Sequence, residues 1–190
     1  MSSRTGIQAS SEALARPPQL WARTACWTCL LCTLPSAAWR VAMLTGADVG
    51  FEYADLYRDS AGGTIYVLAL ETVQVGAAVA CVGLCRPWGE TVPRWVPGLG
   101  GRTIPRLLPL VLGGVGNVLL YLIIYYVATR FALAALSRPP GWTPAQGMST
   151  GQTWVLALCY APMLLWPVAL TIALVGYRRR RMPRTREARS

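Results

Sequence analysis

Histidine and lysine are both absent from this 190-residue sequence, and eight acids face 18 arginines. Without histidine there is no imidazole to serve as general base, metal ligand or pH switch. Charge is scarce as well. Charged residues make up 14% of the chain, where a soluble domain carries about 25%, and that excludes an ordinary water-soluble fold. Phenylalanine falls to two, yet tryptophan and tyrosine reach eight each and 54% of residues are hydrophobic. What remains is the composition of a small multi-pass membrane protein.

Four apolar stretches, at about residues 24–44, 63–85, 107–128 and 153–177, each approach the roughly 20 residues that span a bilayer. They predict an all-α integral membrane bundle of four transmembrane helices over residues 21–177. A polar, Ser-rich arm over 1–20 reads as disordered and a basic tail occupies 178–190. The arginines decide orientation. The segment up to Arg23, the 86–106 loop and the tail hold 14 of the 18, so the positive-inside rule places both termini in the cytoplasm. The 45–62 loop carries Asp48, Glu52, Asp55 and Asp59 against Arg58 alone. Positive charge sorted by loop in this way argues against nucleic acid as partner and for the bilayer and its anionic headgroups.

The aromatic residues fit two interfacial belts. Trp21, Trp27, Trp88, Trp95 and Tyr177 fall at the inner one; Tyr66, Tyr121, Tyr125, Tyr126, Trp142 and Trp154 fall at or near the outer one. A rival reading applies to the first span. Its arginines, the apolar run CWTCLLCTL, Pro35 and Ser36-Ala37-Ala38 have the pattern of a cleavable signal peptide. Against cleavage, the apolar pattern continues past Ala38 to Leu44.

Charged residues at membrane depth usually face the bundle interior and pair. The first two spans hold one of each sign, Arg40 and Glu71, both roughly 9–12 Å below the outer surface at about 1.5 Å per residue. Cys26, Cys29, Thr33, Ser36 and Arg40 recur at three- and four-residue steps, as do Glu71, Gln74, Ala78, Cys81 and Cys85. Such a repeat is the stripe one helix turns to a neighbour. Run antiparallel, one register pairs Arg40 with Glu71, Ser36 with Gln74, Thr33 with Ala78, Cys29 with Cys81 and Cys26 with Cys85. Small and polar residues suit a tight membrane hairpin. Asn117, near mid-membrane in the third span, is expected to join this polar centre.

Two roles for the seam stand side by side. It is a structural ion pair, or Glu71 is a working acid beside Arg40, carrying a proton for an exporter or acting on a lipid-soluble substrate. The inner-half cysteines, Cys26-x-x-Cys29-x-x-Cys32 with Cys81 and Cys85, resemble a metal or redox motif. Small buried cysteines in a reducing compartment are the simpler reading, so no metal and no cofactor is expected. The inner loop interleaves Trp88 and Trp95 with Arg86, Arg94, Arg102 and Arg106 and is expected to lie as an ordered hairpin on the inner leaflet, its arginines on lipid phosphates. Its glycines, Gly98, Gly100 and Gly101, precede a helix start, a place where backbone N–H groups can bind an anion. In the fourth span Pro162 and Pro167 are expected to kink the helix.

LPSAAWR, IYVLALETVQ and above all RPWGETVPRWVPGLGGRTIP resemble a group of small multi-pass membrane proteins of high-GC actinobacteria. The likeness covers about residues 30–115. It implies a multi-pass plasma-membrane protein and supplies no activity. The expected function is therefore a non-catalytic membrane protein, an accessory or small-molecule export or resistance factor. The alternative is a membrane-embedded enzyme using Glu71 as an acid on a hydrophobic, isoprenoid-like small molecule.

Overall fold

Proline 35 divides the first apolar stretch. Proline has no N–H to donate and its ring collides with the carbonyl four residues earlier, so it is accommodated in a helix's first turn. In the computed structural model, which describes residues 18–92, 96–98, 100–136 and 145–181, the stretch forms α1 (Leu20–Leu31) and α2 (Leu34–Leu44), with Pro35 opening the second. Thr33 Oγ1 donates to the Leu30 carbonyl at 2.8 Å and Ser36 Oγ to the Thr33 carbonyl at 2.9 Å. Both carbonyls also accept backbone N–H groups, Leu30 from Thr33 and Thr33 from Ala37, so the hydroxyls add second donors on either side of the break. The expected single helix over 24–44 is thus corrected to two consecutive pieces.

A short helix, α3 (Ala54–Arg58), leads into α4 (Ala61–Gly83), whose N-cap Ser60 accepts from the Gly63 N–H. A 3-10 turn, Pro87–Gly89, follows. Then come α5 (Leu107–Ala135) and α6 (Thr150–Tyr160), the latter opened by a capping box of Ser149 and Gln152. A 3-10 segment, Ala161–Leu165, joins α6 to α7 (Trp166–Arg181). Pro162 lies in that segment and Pro167 just after it, which is the interruption expected of span four. Among the described residues no strand forms beyond an isolated bridge between Thr91 and Thr103. Four spans, Leu20–Leu44, Ala61–Gly83, Leu107–Leu133 and Thr150–Arg181, are long and apolar enough to cross a membrane.

Spans one, two and four make the core. At one end Cys26, Cys29, Ala78, Cys81, Ala169, Ala173 and Tyr177 pack together; at the other Trp39, Met43, Val67 and Leu156 do, with Cys159 against them. Small residues permit the close approach. A Cβ on Gly176 would lie 2.6 Å from that of Ala22, so α7 and α1 meet nearly backbone to backbone. Span three stands apart, with 6% of its apolar window buried against 28–33% for the others. It packs on α7, where Gly113 meets Leu174, while Gly114 and Gly116 face open space.

Three boundaries change. Span three continues seven residues past 128, and Arg178, Arg179, Arg180 and Arg181 are the last turn of α7 rather than tail. Tyr177, expected in the inner aromatic belt, is 1% exposed and belongs to the core. Leu20, placed in the arm, starts α1. The arm over 1–17, Arg94, Trp95, Arg138, Trp142 and the tail beyond 181 lie outside the described residues.

Candidate functional site

The antiparallel register reads directly from the contacts between span one and span two. Arg40 Nη1 donates to Glu71 Oε1 and, at 3.1 Å, to Gln74 Oε1. Gln74 Nε2 donates to Ser36 Oγ at 3.1 Å. Beyond them Cys29 and Cys81 are buried in one cluster, and Cys26 is joined to Cys85 in a disulfide, which corrects the expectation that these cysteines are simply small reduced residues. Helical geometry explains the run of contacts: residues three and four apart share a face, so one matched pair aligns the rest. A hydrogen-bonded chain therefore descends from Arg40 through Gln74 and Ser36 to the Thr33 carbonyl, ending at the break between α1 and α2.

Tyr160 completes the centre, and sequence reasoning misses it. Arg40 Nε donates to Tyr160 Oη at 2.9 Å, and the guanidinium carbon lies 5.5 Å from the ring centroid. Trp39 meets the same ring edge-on at 5.9 Å. The available signal was a tyrosine at membrane depth beside a proline-rich segment, where its hydroxyl needs a partner. Span four is thereby fastened to the hairpin of spans one and two. Glu71 is 8% exposed, and its Oε2 is buried with no hydrogen-bond partner among the described residues.

Asn117 does not join this centre. Its Nδ2 donates to Thr171 Oγ1 at 2.7 Å, and Tyr121 Oη lies 3.4 Å from the same hydroxyl. The amide thus holds α5 to α7, because α5 packs on the inner piece of span four rather than on the hairpin.

The loop between spans two and three forms a second polar assembly. Val92 and Arg102 pair through their backbones, as do Ile104 and Glu90, which makes the expected hairpin. Glu90 then reaches α7, with its Oε1 2.7 Å from Arg180 Nη2 and its Oε2 3.9 Å from Arg181 Nη1. Arg180 also donates to the Leu84 carbonyl at 2.8 Å and Arg181 to that of Ile104 at 3.0 Å. These two arginines, read from sequence as part of a basic tail, clasp the loop to the bundle. Arg86 lies over the Trp27 ring at 5.8 Å, while Arg102 and Arg106 are exposed. The glycine turn is not an anion cradle. The N–H groups of Gly100 and Gly101 are spent on the Val96 and Val92 carbonyls, and Thr103 is in the bridge to Thr91 rather than at a helix start.

No protein-family model, curated protein or solved structure matches this chain. Among the described residues no three His, Cys, Asp or Glu side chains are grouped to hold a metal ion.

Proposed function

We propose that the chain is a multi-pass protein of the plasma membrane of a high-GC actinobacterium, with both termini cytoplasmic. In this reading it is a non-catalytic accessory factor, or a small-molecule export or resistance factor, and the Arg40–Glu71 centre serves its assembly. The observation that carries the reading is the closure of Arg40 by Glu71, Gln74 and Tyr160, contributed by two different spans. Each contact made by the guanidinium joins it to another helix. The alternative, a membrane-embedded enzyme using Glu71 as an acid, is favoured by one observation, the unpartnered Glu71 Oε2.

Two measurements test this. Periplasmic-active and cytoplasmic-active reporters fused within the 45–62 loop and after residue 181 are expected to signal outside and inside, respectively. The opposite pattern overturns the topology, which also puts the Cys26–Cys85 link on the cytoplasmic side, where disulfides are uncommon. For function, a deletion strain challenged with hydrophobic toxic compounds receives the paired variant Arg40→Met/Glu71→Leu. Restored growth at wild-type protein levels is expected of an architectural pair. A variant that assembles in the membrane and restores nothing makes Glu71 a working acid.

A further inference from the structure

The Cys26–Cys85 disulfide ties α1 to the loop that follows α4. Both cysteines border a cleft of about 70 Å³, together with Gln19, Ala22, Arg179 and Arg180. Gln19 and Arg179 on its rim are exposed. A single water needs about 10–15 Å³, so the cleft admits several waters or the thiol-bearing end of a small molecule. The two cysteines differ in access: Cys26 is 1% exposed, whereas Cys85 is only partly buried. The free thiols Cys29, Cys32 and Cys81 are buried in the core and do not border the cleft. Arg86 follows Cys85 directly and is exposed like Arg179. Positive charge therefore flanks the approach, and it favours the thiolate, the attacking form of a thiol. Both arginines belong to the side of the bundle read as cytoplasmic. In a reducing compartment the disulfides that occur are usually transient, catalytic or redox-sensing rather than structural.

We propose that Cys26–Cys85 is a thiol–disulfide exchange site for a low-molecular-weight thiol that enters by this cleft, with Cys85 as the sulfur attacked. Exchange runs through a mixed disulfide, and access decides which sulfur is struck. The thiol gives up its proton and its sulfur bonds to Cys85 Sγ. The bond to Cys26 breaks, and the electron pair leaves on Cys26 Sγ, which takes up a proton. A second thiol then attacks the small molecule's sulfur in the mixed disulfide. Cys85 departs as a thiol, and the two small molecules leave joined as a disulfide. Two electrons and two protons have passed to the cysteines, and the small disulfide drives the same steps backwards. Opening the bond frees the start of α1 from the loop, while the Arg40 contacts to Glu71 and Gln74 still hold the hairpin. The choice of a cytosolic thiol rests on the topology proposed above.

The test uses the full chain, folded in mild detergent and incubated with reduced glutathione as the probe thiol. Samples are quenched in acid, unfolded and alkylated, and the labels are counted by intact mass. Four free cysteines and one disulfide give four labels before treatment, and six are expected after it, with helicity by circular dichroism unchanged. Oxidised glutathione is expected to restore four. In Cys26→Ser the lone Cys85 should form a lasting mixed disulfide with oxidised glutathione. In Cys85→Ser the buried Cys26 should react at least tenfold more slowly. A disulfide that resists glutathione in the folded protein and opens only in denaturant overturns the proposal, as do six thiols that oxidised glutathione leaves unlinked. Equal rates for the two variants overturn the assignment of Cys85 as the sulfur attacked. Exchange in detergent does not depend on orientation, so reporters that place this end outside would overturn the topology and leave the exchange itself standing.

Discussion

Arg40→Met and Glu71→Leu, made singly, are each expected to destabilise the folded protein by about 3 kcal/mol, the cost of leaving one member of a buried ion pair without the other. At this chain length that corresponds to a fall of roughly 6–12 °C in the unfolding midpoint, measured in mild detergent. Arg40→Met is the worse of the two. Among the described residues Glu71 accepts from Arg40 alone, so its carboxylate would be left in the core without a donor. After Glu71→Leu, by contrast, the guanidinium keeps Gln74 and Tyr160. Combined, the two changes put apolar groups face to face, an exchange that is often neutral. The double variant is therefore expected to melt near the wild type. Additive losses in the double variant would show that the two side chains do not act as a pair.

That coupling was legible in the sequence because it depends on two local regularities. Charges are costly at membrane depth, so Arg40 and Glu71 each needed a partner, and the 3-4 spacing of small and polar residues placed both on matching stripes. Once the hairpin is antiparallel, each step down one helix is a step back along the other, and Ser36, Gln74, Cys29 and Cys81 fall into line.

Tyr160 could not be placed by the same reasoning. Periodicity gives a face only while the helical phase is continuous, and Ala161–Leu165 is a 3-10 segment with 3.0 rather than 3.6 residues per turn. The face that α6 turns to Arg40 is thus uncoupled from the face that α7 turns to α1. Asn117 misled for a related reason. A polar side chain at depth requires a partner, but it does not say which neighbour supplies one, and the Thr171 hydroxyl was nearer than the charged pair. Pro35 drew notice in the sequence only as part of a cleavage pattern; in the fold it opens α2. Glu90 sits in an aperiodic Pro- and Gly-rich loop, so nothing local connects it with Arg180, ninety residues farther on.

Gly89→Ala tests whether that connection holds the inner end together. A Cβ at Gly89 would lie 1.9 Å from the Gly83 carbonyl oxygen, and a backbone atom cannot swing aside as a side chain can. Either α4 loses its last turn or the Pro87–Gly89 turn lifts away. Lifting it also displaces Trp88, which packs where a Gly83 Cβ would stand, and draws Glu90 back from Arg180. Overpacking costs about 1–3 kcal/mol, and loss of a counter-charge from a mostly buried arginine adds to it. Together these predict a midpoint lowered by roughly 6–12 °C. Two comparisons separate the causes. Glu90→Gln removes the ionic contact without the clash and is expected to give about half the loss by the same reasoning. Gly76→Ala is a like change within α4 where the new methyl meets nothing within 4 Å, and alanine's better helix propensity should leave it neutral or up to about 1 kcal/mol more stable. If Gly89→Ala melts with Gly76→Ala, the turn does not rest on Gly83 and the clasp between Glu90 and α7 cannot be what orders the inner loop.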